Sequence, residues 1–485
     1  MLARAVTHAL VGLEPRRVEV EAHVRSGTPA FVIVGLPDRA CAEARQRVKS
    51  GIVSAELEFP RGRVTVNLAP AGLRKEGSGY DLPIALAILA ASRQLPHEEL
   101  DRHASVGELA LDGRLRRVGG VLAVAEGAQR MGLEHVLCPT ESAAEAALAG
   151  IEPIPVRHLA DAVAYLRGDL EPDPILPPRK QEPPPAPDLE DVRGQERARR
   201  ALEIAAAGSH NLLLAGPPGI GKSMLARRLP GILPLLDRDA ALEVTRIHSV
   251  AGLLPVDQPL LARPPFRAPH HSASTAAIIG GGPGIRPGEA SLAHRGVLLL
   301  DELAEFARPT LEALRQPLED GIVCVARAAG RAVFPARFQL VATMNLCPCG
   351  ARGDPAAQCS CSAQRLAAYR DKLSRALLDR FDLIVSVPRA RAAEFATREA
   401  EPSAGVAQRV AVARERLSGP VLRRTPEAEE LLLRAVDRLP LSGRGRARVA
   451  RVARTVAALA AAEQVEAEHV AEALAYRSPQ ELASS

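Results

Sequence analysis

Residues 216–223 read Gly216-Pro217-Pro218-Gly219-Ile220-Gly221-Lys222-Ser223. Glycines at this spacing let successive backbone N–H groups face one point, and a helix starting at Lys222 adds its positive end, so the segment is built to hold phosphate. The Lys222 ammonium would reach the β- and γ-phosphates, and the Ser223 hydroxyl would bind Mg²⁺. Further along, Val297-Leu298-Leu299-Leu300 runs into Asp301-Glu302. An apolar strand ending in two carboxylates supplies what such a phosphate loop lacks. Asp301 would hold the Mg²⁺ and Glu302 would polarise an attacking water. Together the two segments imply a site that binds ATP with Mg²⁺ and hydrolyses it.

The elements that must position these groups are legible around them. The apolar run Asn211–Ala215 enters the loop and a helical pattern leaves it at Lys222, giving the strand–loop–helix context the chemistry requires. Strands and helices alternate from about Asp191, which predicts a mostly parallel α/β sheet. After about residue 390 the pattern becomes helical. Thr425-Pro426 places an N-cap before Pro at the first helical position, Ser442 caps a second helix through about Ala462, and Glu466–Tyr476 forms a third.

With 485 residues the chain has room for about three domains. Residues 169–189 carry Pro172, Pro174, Pro177, Pro178, Pro183, Pro184, Pro185 and Pro187 among charges, which precludes helix or central strand and marks a semi-rigid spacer. The division is therefore 1–168, the linker 169–189, an ATPase core 190–390 and a helical region 391–485. The first of these mixes alternating stretches (Arg17–Val24, Arg63–Asn67) with buried helical ones (Pro83–Gln94, Gly120–Met131), an α+β pattern. Hydrophobic content of 47% supports sizeable cores. With 2% aromatics and no Trp, those cores must be aliphatic. The net charge of +5 is carried almost entirely by Arg, a weak pointer to a polyanion. No apolar run is long enough for a membrane span, and Met1-Leu2-Ala3-Arg4 does not begin a secretory signal, so the cytoplasm is the expected compartment.

Four of the seven cysteines cluster as Cys347-Pro348-Cys349 and Cys359-Ser360-Cys361, with Gly350, Gly353 and Pro355 between the pairs. Four thiolates so close can wrap one tetrahedral Zn²⁺, and a site with four protein ligands is structural. Free thiols are the alternative. Ile322–Ala326 and Ala332–Pro335 around Ala328-Ala329-Gly330 read as a hairpin with Arg327 and Arg331 flanking its tip. His270-His271 are adjacent, a poor arrangement for one metal ion, and point to structural or interface use. Gly280–Glu289 is too glycine-rich for helix or strand.

These segments resemble the ComM/YifB family of magnesium chelatase-like AAA+ ATPases. The resemblance covers nearly the whole chain. It is carried by Gly12-Leu13-Glu14-Pro15, Val34–Asp38, Val66–Ala71, Arg74–Gly79, Gly107-Glu108-Leu109 with Asp112-Gly113, Phe266–Ser274, Arg286–His294 and the cysteine cluster. It implies an AAA+ P-loop NTPase core with a parallel sheet, a C-terminal helical lid and a Lon-protease-like N-terminal domain. Asn345, ending the run Gln339–Asn345, takes the place of the sensor 1 residue that orients water near the γ-phosphate. Arg380, in Leu377–Leu383, takes the place of an arginine finger reaching the nucleotide of the next subunit, which implies a ring and, as its natural closed form, a homo-hexamer. Arg444, in Leu441-Ser442-Gly443-Arg444, stands where sensor 2 is expected, with Arg446 and Arg448 as competitors. The hairpin is placed to enter a ring pore. Proteolysis is not expected. Gly119-Gly120 is followed by Val121-Leu122-Ala123-Val124 with no catalytic Lys, and Lys75 precedes Ser78 in the wrong arrangement.

The expected activity is an ATP-driven hexameric motor acting on single-stranded or branched DNA. Arg61, Arg63, Arg74 and Lys75 are candidate phosphate contacts in the N-terminal domain. The alternative is a chelatase-type ATPase that remodels a protein partner. Against that stand the additional N-terminal domain and the lack of a D-x-S-x-S motif.

Overall fold

The computed structural model describes residues 1–175, 186–282, 285–327, 330–389, 400–438 and 442–477. The centre of the Pro-rich linker, Pro283-Gly284, the hairpin tip Ala328-Ala329 and Leu441 lie outside the described residues.

The N-terminal part is a seven-stranded mixed sheet. Its strands are β1 (Leu2–Val11), β2 (Glu14–Arg25), β3 (Ala30–Val34), β4 (Arg63–Ala69), β5 (His103–Ser105), β6 (His135–Pro139) and β7 (Glu152–Val156), in the order β3-β4-β2-β1-β5-β6-β7. The alternating stretches expected at Arg17–Val24 and Arg63–Asn67 are the centres of β2 and β4. Helix α1 (Arg39–Ser54) and helix α2 (Asp81–Ala91) pack on this sheet. Every residue of α2 is buried, so the helix is apolar all round apart from Asp81 at its start. The Asp81 carboxylate is held by the Arg47 guanidinium at 2.6 and 3.0 Å and by the Leu109 N–H. Helix α3 (Val121–Arg130) starts where the sequence places its second buried helix.

The second sheet has five strands. They are β8 (Leu212–Ala215), β9 (Phe266–Arg267), β10 (Val297–Leu300), β13 (Gln339–Met344) and β14 (Leu383–Ser386), while β11 (Ile322–Arg327) and β12 (Gly330–Pro335) form a separate antiparallel hairpin. The order is β9-β10-β13-β8-β14 and every pairing is parallel. Parallel strands covered on both faces read as continuous apolar runs. Here Leu212, Leu214, Val297, Leu299 and Val341 face one core, and Leu213, Ala215, Leu298, Leu300, Leu340 and Ala342 face the other. The first core continues through helix α4 (Glu196–Gly208) into the C-terminal helices α7 (Ser403–Ser418), α8 (Pro426–Arg438), α9 (Gly443–Leu459) and α10 (Ala467–Ala475). Thr425 and Ser442 cap α8 and α9 as their types require. Guanidinium-to-carbonyl bonds reinforce the packing. Arg199 ties Leu189, Val192 and Glu401, Arg414 holds Ala206, and Arg477 holds Phe381.

The two sheets meet at helix α6 (Arg238–Val250), the second helix after the phosphate loop, helix α5 being Lys222–Ala226. Glu126 of α3 pairs with Arg246, and the buried Glu145 accepts from the Ser249 hydroxyl and the Leu122 N–H. The Gly120 N–H donates to the Ser249 carbonyl, and a Cβ on Gly119 would stand 3.0 Å from that oxygen. The Gly-Gly pair thus has a packing reason: it lets the backbone close on α6.

Removing Arg47 would leave the Asp81 carboxylate buried without its counter-ion, a loss of about 3 kcal/mol. Arg47→Ala is therefore expected to lower the urea midpoint, and adding Asp81→Asn to recover part of the loss. Equal midpoints for wild type and Arg47→Ala would contradict this account.

Candidate nucleotide site

Register decides which side chains meet. Ala215 of β8 is level with Met344 of β13, and Leu300 of β10 is level with Ala342. The next residues, Gly216 beside Asn345 and Asp301 beside Thr343, therefore leave the sheet together. Gly221 has φ of +90° and turns the loop into α5. The Lys222 ammonium curls back to the carbonyls of Gly216 and Pro217 (2.8 and 2.6 Å) and donates to Asn345 Oδ1 at 3.1 Å. Burial pushes its pKa down to about 8, against the opposing pull of Asp301 and Glu302.

The Ser223 hydroxyl donates to Asp301 Oδ1 at 2.6 Å. A Mg²⁺ bound about 2.1 Å from each of two adjacent ligands sets those oxygens about 3 Å apart, so this pair fits the ion. Thr343 also donates to Asp301 Oδ1 (2.5 Å), and its oxygen accepts from the Glu302 N–H (3.0 Å). Glu302 sits at φ of +57°, a left-handed conformation that turns its carboxylate away from the strand line. His271 Nδ1 lies 3.6 Å from Glu302 Oε2, with the His270 ring 4.1 Å behind. The Gln195 side chain donates to the Ile220 carbonyl, and its own carbonyl oxygen is buried with no partner. Thr343, His271 and Gln195 are the residues the motifs do not reveal. For Thr343 alone a signal exists, since it stands two residues before Asn345 and so on the same face of β13.

Arg380 is not part of this cluster. Its backbone carbonyl accepts from the Asn211 side chain, at the start of β8, whereas the phosphate loop leaves the strand's other end. Four strand residues separate them by about 13 Å. The buried Arg380 guanidinium pairs with Glu319, and Arg444 reaches the same carboxylate at 3.3 Å. Arg446 pairs with Glu429, and Arg448 with Arg451 meets the buried Asp382. Of the three sensor 2 candidates, Arg444 is the most exposed, at 74%.

The four thiols of Cys347, Cys349, Cys359 and Cys361 lie within 4.8 Å of one another. Three of the separations are 3.3, 3.6 and 3.7 Å. Tetrahedral Zn–S bonds of about 2.3 Å require edges of about 3.8 Å, so the set fits a metal of that kind. Ser78 lines a cavity of about 770 Å³ between the N-terminal part and the second part of the chain, with Val250, Gly252 and Arg286 on its other side. The buried Lys75 ammonium is committed to the Pro70 carbonyl, and burial lowers its pKa. Among the described residues no helix is long and apolar enough to cross a membrane.

Strand, phosphate loop, helix and the Asp301–Ser223 pair define a P-loop nucleotide-binding protein. Three family models cover most of the chain: magnesium chelatase subunit ChlI over residues 188–395, a further ChlI segment over 20–142, and the ChlI C-terminal region over 400–477. A Mycobacterium tuberculosis protein is 47% identical over 98% of both chains. Escherichia coli YifB is 41% identical over 97% of this chain and 96% of its own. The competence protein ComM of Haemophilus influenzae is 41% identical over 98% and 97%. A 65-residue stretch is 42% identical to a putative Lon protease homologue of Methanothermobacter thermautotrophicus, covering 13% of this chain and 12% of that one. The chain belongs to the ComM/YifB family of magnesium chelatase-like proteins. Its relatives and its magnesium chelatase domain together suggest an ATPase that uses ATP and Mg²⁺.

A nucleotide bound at this loop would favour the protonated Lys222. Its affinity for ATP is therefore expected to be level below pH about 8 and to fall above it as the free ammonium deprotonates. Titration of a fluorescent ATP analogue from pH 6.5 to about 9.5 reads this directly. An affinity that rises across that window would contradict it.

Proposed function

We propose that the chain is an ATP-hydrolysing motor that works on DNA as a homo-oligomeric ring, with a hexamer as its closed form. The carrying observation is the convergence of Lys222, Ser223, Asp301 and Asn345 at one end of the parallel sheet, with Arg380 held at the other. In this reading Lys222 and the loop amides bind the phosphates, Ser223 and Asp301 hold Mg²⁺, Glu302 activates water and Asn345 orients it. Bound Mg²⁺ supplies charge neutralisation between the phosphates. Arg380 lies too far from its own loop to serve it, which favours action on a neighbouring subunit's nucleotide. Arg444, beside it on Glu319, would join it there.

The DNA part of the reading rests on the hairpin β11–β12, whose Arg331 is exposed, and on the relationship to a competence protein. The domain division at 168, 189 and 390, the lid role of the C-terminal helices and a Lon-like but non-proteolytic N-terminal domain belong to the same proposal. Lys75 bound to Pro70 offers Ser78 no base. The four cysteines would hold a structural Zn²⁺.

Steady-state ATPase rates with and without single-stranded and four-way-junction DNA test the motor, with Lys222→Ala as the blank. Strong stimulation by DNA is expected. Normal basal turnover that no DNA stimulates would instead favour a chelatase-type remodeller of a protein. Arg380→Ala is expected to bind ATP normally but to lose about 10³-fold in turnover. Mixing it with Lys222→Ala subunits should restore part of the activity, because an interface at which the Arg380→Ala subunit supplies the loop and the Lys222→Ala subunit supplies the finger is intact. A mixture as inactive as its components would refute action between subunits.

A further inference from the structure

The cysteine cluster sits on the nucleotide site. Cys347 follows Asn345 by two residues, with only the buried Leu346 between them. From Cys347 the chain turns through Gly350, whose N–H returns to the Cys347 carbonyl. Gly350 is at φ of +79°, and a Cβ there would stand 2.9 and 3.0 Å from Cγ and Cδ of Pro218. The cysteine loop therefore rests directly on the phosphate loop, at a point where only glycine leaves room. After Cys361, Ser362 caps the helix Ala363–Asp371, and Tyr369 of that helix is buried in the same core as Met344 and Leu346, the two neighbours of Asn345. Both ends of the cysteine segment thus come back to the residues flanking Asn345, whose side chain holds the Lys222 ammonium. Asp354, in the same loop, is anchored to Arg389 beyond β14 at 2.8 Å.

We propose that a Zn²⁺ held by Cys347, Cys349, Cys359 and Cys361 acts as a brace for ATP binding: by closing the segment 347–361 it presses Gly350 onto Pro218 and fixes Asn345 against Lys222. The inference rests on the reading of the four thiols as a zinc site. Metal occupancy then sets nucleotide affinity through the backbone, and Gly350 is a positioning residue for the phosphate loop. Coupling between two sites is reciprocal, so ATP must tighten zinc by the same factor that zinc tightens ATP.

The full chain would be loaded with Zn²⁺, its metal content measured, and its affinity for a fluorescent ATP analogue determined before and after stripping with a zinc-selective chelator. Stripping is expected to weaken ATP binding about tenfold, and ATP with Mg²⁺ to strengthen Zn²⁺ retention against the chelator by an equal factor. A chain that takes up no stoichiometric Zn²⁺ refutes the metal site itself. A chain that binds Zn²⁺ but holds ATP equally well with and without it overturns the brace alone. Should stripping unfold the protein, as circular dichroism would show, Gly350→Ala decides. It is expected to keep its zinc, to raise KM for ATP about tenfold with a smaller effect on kcat, and to be partly rescued by Pro218→Ala, which removes the opposing ring atoms. An unchanged KM in zinc-loaded Gly350→Ala overturns the proposal.

Discussion

The parallel pairing of β8 with β13, and of β13 with β10, is the constraint on which the site depends. The chemically useful groups these strands bring together lie at or just beyond the strands' C-terminal ends. A shift of one residue in either pairing would separate Asn345 from Lys222 and Thr343 from Asp301, and would turn every core side chain of that strand to the opposite face. The apolar runs Leu212–Ala215, Val297–Leu300 and Gln339–Met344 are buried on both faces, so slippage has no acceptable alternative. The cores thus set the geometry of the polar groups without touching them.

The nucleotide motifs were legible because their chemistry is local. A phosphate loop needs its residues in succession, and the sequence displays them in succession. The caps at Thr425 and Ser442 and the mostly parallel pattern of the second sheet were legible for a similar reason: each is written in short-range periodicity or in a single residue type. His271 and Gln195 were not, because each meets the site from a segment distant in sequence, and nothing in its own neighbourhood marks it; Thr343 is marked only by its spacing from Asn345. His271 illustrates this well. Beside His270 it looks like an interface residue, and only the fold brings it to Glu302.

A different kind of opacity surrounds Arg380 and Arg444. As sequence they read as groups awaiting a phosphate, but in the folded chain they share the carboxylate of Glu319. Two guanidiniums share one carboxylate there, so that cluster carries one more positive than negative group. The Gly119-Gly120 pair is the converse case. It invites comparison with a protease motif, whereas its neighbours assign it to the contact with α6, where Glu126 and Glu145 join the two sheets.

The preponderance of Arg over Lys has a mechanical meaning once the carbonyl-bound guanidiniums are considered. Arg199 spans three carbonyls from two distant parts of the chain through two separate guanidinium nitrogens. Carbonyl oxygens bear no net charge, so dissolved ions compete poorly for such donors, while pairs between exposed opposite charges fade as ionic strength rises. The C-terminal helices are consequently fastened in part by bonds that high salt leaves in place, alongside ion pairs such as Arg409–Glu203 and Arg200–Glu472. That share of the framework holds at ionic strengths that weaken the exposed ion pairs around it.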